Sequence, residues 1–123
     1  MDALAQLDPS AGSPVAVLGT FLAAVAFYSL TAHIAARYVL GDVRARRALL
    51  VGTVPAVLSL LLQRYGPAVT IATTLLADFF AVRSAYRLGN RVAGMVALAH
   101  YTVTVILGIT LYNLIALLGT APT

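Results

Sequence analysis

Cysteine, lysine and glutamate are absent from this sequence. Without cysteine, the chain has no disulfide bonds, no thiol redox chemistry and no metal or iron–sulfur site held by cysteine thiolates. Without lysine it has no Schiff-base chemistry, and without glutamate it has no mechanism built on a membrane glutamate. The basic side chains are eight arginines and the acidic ones four aspartates, so any charged chemistry depends on few groups.

Charge is scarce as well as restricted in type. Only 10% of the 123 residues are charged, 61% are hydrophobic, and the mean hydropathy is +0.94. A soluble domain of this size could not cover so much apolar surface. The net charge is +4, but the charges lie at the ends of apolar runs and form no basic patch, which argues against a nucleic-acid partner. The composition predicts an integral membrane protein in contact with a lipid bilayer.

Four apolar stretches divide the chain. They cover residues 14–36, 48–62, 67–82 (or to 88) and 92–118. A membrane-spanning helix needs about 20 residues, so the second stretch is short unless Arg46, Arg47 and Gln63 flank it as snorkelling residues. Pro55 is expected to kink it. The breaks contain turn-forming glycine, asparagine and aspartate. We therefore predict an all-α integral membrane four-helix bundle.

The arginines predict how the bundle is oriented. Seven fall in the two segments that follow the first and third stretches, whereas Arg64 alone follows the second. The positive-inside rule then places both termini outside the cytoplasm. We predict extracytoplasmic tails at 1–13 and 120–123, a transmembrane domain at 14–119, and a multi-pass protein of the plasma membrane.

Asp78 is the only formal charge in the 67–82 stretch. A charged side chain at the centre of a bilayer costs roughly 2.5–3.5 kcal/mol even on the mildest insertion scale. The two histidines, His33 and His100, also fall within apolar stretches. Each of the three residues belongs to a stripe of small or polar residues at three- and four-residue spacing, which marks an inward helix face.

The three residues are expected to lie at similar depths in the membrane. At about 1.5 Å per residue, His33 lies roughly 6 Å from the arginine-rich flank, Asp78 roughly 8–13 Å and His100 roughly 13 Å. We therefore predict a cluster of Asp78, His33 and His100 in the cytoplasmic half, with Ser29, Tyr28 and Tyr101 around it.

Three functions are consistent with such a cluster, and the sequence favours the first. In the first, Asp78 serves a transport or proton-handling component. In the second, the polar residues only lock the helices of a structural or accessory subunit of a membrane complex. In the third, His33, His100 and Asp78 hold a divalent metal, or the two histidines hold a haem. The histidines lack a zinc-motif spacing, so no cofactor is predicted.

The sequence assigns no catalytic residue and favours a non-enzymatic role. A bundle this small leaves little room for a pathway, and a homo-oligomer or a larger membrane complex would supply one.

Two segments carry a family resemblance. LTAHIAARYVLGD (30–42) and AHYTVTVILGITLYNLIALLGTAPT (99–123) resemble those of small uncharacterised membrane proteins from haloarchaea, a likeness that implies a source but no activity. The chain is also similar to small multidrug transporters in length and number of spans. Those transporters carry a signature glutamate in the first span, which is missing here, so close membership is rejected.

Overall fold

The structure, a computed structural model, describes residues 13–120 and is helical throughout its regular elements. Its four α-helices are α1 (Pro14–Leu40), α2 (Ala45–Leu62), α3 (Pro67–Ala85) and α4 (Asn90–Gly119), and a single 3₁₀ turn (Gln63–Tyr65) follows α2. All four helices are long and apolar enough to cross a membrane. The all-α four-helix prediction is confirmed, and the protein is a membrane protein. The two predicted tails lie almost entirely outside the described residues.

Several helix boundaries lie at residues that favour caps and turns. The Ser13 hydroxyl accepts a hydrogen bond from the backbone N–H of Ala16 at 3.2 Å, and Pro14 occupies the first turn of α1, where its missing N–H costs nothing. Gly41 follows the last residue of α1, and its φ of 90° is readily adopted only by glycine. Gly66, with a φ of 93°, makes the corresponding turn before α3.

The second span is longer than its apolar core. Helix α2 and the 3₁₀ turn together form a span of 21 residues, Ala45–Tyr65. The span is therefore long enough to cross a membrane, although the 48–62 apolar stretch alone is short. Pro55 lies buried inside α2, where it cannot donate the usual bond to the carbonyl four residues earlier. The Ser59 hydroxyl donates to the Pro55 carbonyl at 2.5 Å, so this polar side chain is satisfied within its own helix.

The helices form a closed ring in chain order. Each packs against the next one along the chain, and α1 packs against α4. The buried residues are mostly small, and at Gly52 a side-chain carbon would come within 2.7 Å of the Ser29 Cα. Close approach at small residues is how helices associate in lipid, where a hydrophobic driving force is absent.

Burial is confined to one end of the ring. All buried residues of the described chain lie within 29–36, 48–56, 78–86 and 93–100. These four segments adjoin the arginine-bearing turns, so the tight core lies at the arginine-rich end. Beyond it, no residue between 101 and 120 is buried, and the outer part of α4 extends beyond the core.

Arg47 links two helices at the arginine-rich end. Its guanidinium donates a hydrogen bond to the Ala85 carbonyl at 3.1 Å, which satisfies an unpaired acceptor at the end of α3 and complements the helix dipole. Burial raises the pKa of the adjacent Tyr86 hydroxyl, and the positive charge of Arg47 opposes that rise. Arg47 therefore has a structural role besides its contribution to the positive flank.

Candidate functional site

Asp78 and His100 form a buried pair between α3 and α4. The His100 Nδ1 lies 2.8 Å from one carboxylate oxygen and 2.9 Å from the other. The two side chains are only 3% and 4% exposed, so solvent hardly screens their interaction. The only charge of the third apolar stretch therefore has a specific partner, which is also the deeper of the two histidines.

Helical periodicity places both members of the pair on inward faces. Asp78 and Val82 are one turn apart and are the buried residues of α3. The buried residues of α4 are Ala93, Val96 and His100, again at three- and four-residue spacing. Each polar group thus continues a row of small apolar residues, and the packing of those rows brings the carboxylate and the imidazole together.

Two threonines extend the pair into a chain of hydrogen bonds. The other ring nitrogen of His100, Nε2, lies 2.9 Å from the Thr31 hydroxyl. Thr104, one turn beyond His100 on α4, donates its hydroxyl proton to the Thr31 oxygen at 3.2 Å. Thr31 also lies 3.0 Å from the Tyr28 carbonyl, to which it donates. Three helices, α1, α3 and α4, therefore share one buried polar network.

The single hydroxyl proton of Thr31 gives this network two satisfied arrangements. When Thr31 donates to the Tyr28 carbonyl, Nε2 must carry a proton and donate to Thr31. The Asp78–His100 pair then holds one proton in addition to that on Nε2, either as imidazolium and carboxylate or as neutral imidazole and carboxylic acid. When Thr31 turns its proton toward Nε2, the ring is neutral, and its remaining proton lies on Nδ1 facing an ionised Asp78. The two arrangements differ by one proton.

His33 lies outside this network. It is two residues from Thr31 on α1, which corresponds to about 200° around a helix of 3.6 residues per turn. Its ring lines a groove between α1 and α2 together with Ser29. The structure thus brings together two of the three residues expected to cluster and places the third on the opposite side of α1.

The tyrosines and the serine take different positions around the pair. The Tyr28 backbone carbonyl accepts a hydrogen bond from Thr31. The Tyr28 ring packs edge-on against Phe27, with the ring centroids 5.5 Å apart. Tyr101 is partly buried and lies within electrostatic range of Asp78. Ser29 is buried against Gly52, and its hydroxyl takes no part in the network.

Thr31 and Thr104 are the residues that sequence reasoning did not single out for the site. Thr104 lies four residues from His100 and continues its stripe, whereas Thr31 lies two residues from His33 and falls outside that stripe. The available signal for Thr31 was its neighbourhood, because Ala32, Ala35 and Ala36 form a dense small-residue patch around it. Such a patch marks close helix packing on more than one side.

The separation of the histidines bears on the metal alternative. Among residues 13–120, no group of three histidine, cysteine, aspartate or glutamate side chains is placed to hold a metal ion. Asp78 and His100 alone would supply two ligands, fewer than the three protein ligands of a catalytic zinc site. What the structure shows at Asp78 and His100 is a hydrogen-bonded pair.

Comparison with known families places the chain in context. Residues 11–122 match the sequence profile of DUF7473, a family of unknown function. The chain belongs to this family. No curated protein and no solved structure matches it. The resemblance to an uncharacterised small protein family is therefore confirmed.

Proposed function

We propose that this DUF7473 protein is a membrane transport or proton-handling component in which the Asp78–His100 pair binds and releases a proton. The observation that carries the proposal is the Thr31 hydroxyl, since its two orientations satisfy two arrangements that differ by one proton. Ionisable groups within a membrane span are costly and commonly mark proton or ion pathways.

The position of the network within the bundle supports the same proposal. Thr104 is only partly buried and lies where the tight core ends, so the hydrogen-bond chain runs from buried Asp78 toward the more open part of the bundle. A proton that enters at Thr104 would reach His100 through one hydroxyl. The small size of the bundle supports association with further copies or with a larger membrane complex, which would complete a pathway.

We further propose the plasma membrane as the location, with both termini outside, on the strength of the seven-to-one arginine bias. We also propose a haloarchaeal source, which is supported by the resemblance of residues 30–42 and 99–123 to haloarchaeal proteins.

Reconstituted vesicles provide the test. Protein with Asp78→Asn should fold, because the asparagine carbonyl oxygen still accepts from Nδ1–H, but it cannot hold the pair's acidic proton. We expect proton flux, followed with an entrapped pH-sensitive dye, to be lost in Asp78→Asn and retained in Asp42→Asn. Asp42 is a matched control because its carboxylate is exposed and lies 3.9 Å from Arg37. Equal flux in Asp78→Asn and the unmodified protein would refute the proposal.

A structural or accessory subunit is the second candidate, because the network joins α1, α3 and α4. In that case the Asp78→Asn protein would lose its fold or its association with partners, without a specific defect in proton flux. Nitrogen-15 NMR of the histidine rings separates the two functions. Proton handling requires the His100 ring nitrogens to change, by protonation or by a switch of tautomer, when the pair gains or loses its proton, whereas a purely structural lock keeps one state throughout.

A further inference from the structure

Three buried polar atoms outside the Asp78–His100 network lack a hydrogen-bond partner among the described residues. One, the Tyr86 hydroxyl oxygen, lies beyond the end of α3, and the other two are the Ser29 hydroxyl oxygen and the His33 Nδ1 of α1. Ser29 as a whole is only 8% exposed. A serine or threonine inside a helix commonly donates to the carbonyl one turn earlier. Thr102 and Thr110 do so here. A buried polar group left unpaired costs about 1–3 kcal/mol, so these two atoms point to a missing ligand.

Both atoms belong to residues that line one groove between α1 and α2. The groove encloses about 470 Å³ and is open to the surroundings. Its other lining residues are Leu30, Ala45, Arg46 and Leu49. Arg46 lies in the first turn of α2 with its side chain exposed, at the arginine-rich end. The groove thus has apolar walls and the exposed Arg46 side chain, and none of its lining side chains is acidic. The Ser29 hydroxyl and the His33 Nδ1 are buried beneath its surface.

We propose that this groove binds an anionic phospholipid, whose phosphate accepts hydrogen bonds from Arg46, His33 and Ser29. A phosphate supplies only acceptor oxygens in this setting, and the guanidinium group matches its geometry in a bidentate fashion. When their side chains turn toward the bound phosphate, the Ser29 hydroxyl and a proton on His33 Nδ1 gain the acceptor that each lacks. Leu30 and Leu49 border the same space and contact the start of a lipid chain.

The groove's chemistry selects this ligand over two simpler ones. A hydrocarbon chain alone would fill the apolar walls and leave Ser29 and His33 unpaired. Inorganic phosphate would accept hydrogen bonds from the donors but leave the apolar surface of Leu30 and Leu49 uncovered. A volume of about 470 Å³ is within the range of roughly 300–1,000 Å³ for small-molecule sites. The site is distinct from the proposed proton site, because Thr31 faces His100 from the other side of α1.

Native mass spectrometry of the purified full chain in mild detergent tests the proposal. The probes are phosphatidylglycerol, which is anionic, and phosphatidylcholine, which is zwitterionic. We expect Arg46→Gln to weaken phosphatidylglycerol binding about tenfold and Ser29→Ala about threefold, since charge-assisted hydrogen bonds are roughly twice as strong as neutral ones. Arg91→Gln is the matched control, because it removes the same charge from an exposed position away from the groove, and its binding should stay near that of the unmodified protein.

Three results would overturn the proposal. Equal losses in Arg46→Gln and Arg91→Gln would show that only bulk charge attracts the lipid. Equal retention of phosphatidylcholine and phosphatidylglycerol would show that the groove accepts any lipid chain. Displacement of phosphatidylglycerol by inorganic phosphate at low millimolar concentration would identify free phosphate as the ligand. Ser29→Ala removes one oxygen atom and adds none at the close contact with Gly52. The variant is therefore expected to fold, and its binding result to be informative.

Discussion

The Asp78–His100 pair allows a quantitative prediction about stability. Replacing Asp78 alone with leucine leaves a buried imidazole whose Nδ1 has lost its acceptor. Replacing His100 alone with leucine leaves a buried carboxylate. Since the side chains are 3% and 4% exposed, solvent cannot compensate either loss. Removing one member of a buried ion pair costs about 3–5 kcal/mol, and we expect each single variant to lose about that much free energy of unfolding.

The double variant should behave differently. With leucine at both positions, no charge or ring nitrogen remains in the core, and apolar replacement of a buried pair is often nearly neutral. Thr31 keeps the Tyr28 carbonyl as an acceptor, so the other end of the network stays satisfied. We therefore expect the double variant to be more stable than either single one, with a coupling energy of about 3 kcal/mol or more.

The assay is a double-mutant cycle in mild detergent, with unfolding by sodium dodecyl sulfate followed by far-ultraviolet circular dichroism. Thr110→Val serves as the control, because its hydroxyl is exposed and bonds only within α4, and it should change the unfolding free energy by no more than about 0.5 kcal/mol. Additive losses in the double variant, within about 0.5 kcal/mol, would refute the assignment of Asp78 and His100 as an interacting pair.

Three further predictions use the same unfolding assay. Gly52→Ala should cost about 1–3 kcal/mol, because the new methyl group would clash with the Ser29 backbone, whereas Gly108→Ala, with open space around it, should gain up to about 1 kcal/mol. Arg87→Gly should stabilise by about 1 kcal/mol, because Arg87 has a φ of 55°, a conformation unfavourable for side chains other than glycine. Thr31→Val should cost about 1–3 kcal/mol, because it leaves His100 Nε2 unpaired. An unchanged free energy of unfolding in Gly52→Ala or in Thr31→Val would contradict the packing described.

Hydropathy and turn chemistry predict the number and type of helices well. The expected stretches at 14–36 and 92–118 correspond to helices Pro14–Leu40 and Asn90–Gly119, and each is longer than its apolar core. The reason is physical, since arginine side chains can snorkel from a helix end to the headgroups. Apolar length therefore underestimates helix length wherever arginine begins or ends the helix, as at the start of α2.

Depth along the bilayer is also predictable, because helical rise is constant and the arginine flanks give its origin. That argument placed Asp78 and His100 at similar levels, and they pair in the structure. The rotation of each helix about its own axis is harder to predict, because it depends on which neighbours it contacts. Hydropathy carries little information on rotation when nearly the whole helix surface is apolar.

Helix α1 shows why a single inward-facing stripe does not identify every buried residue of the site. In a ring of four helices, each helix contacts two neighbours and therefore has two buried arcs. On α1, one arc faces α2 and contains Ser29 and His33, while the other faces α4 and contains Thr31. A single row at three- and four-residue spacing captures the first arc and omits the second, although both lie at similar depth. Residues two positions apart on such a helix, such as Thr31 and His33, can therefore face different neighbours, and for this reason His33 does not join the Asp78–His100 network.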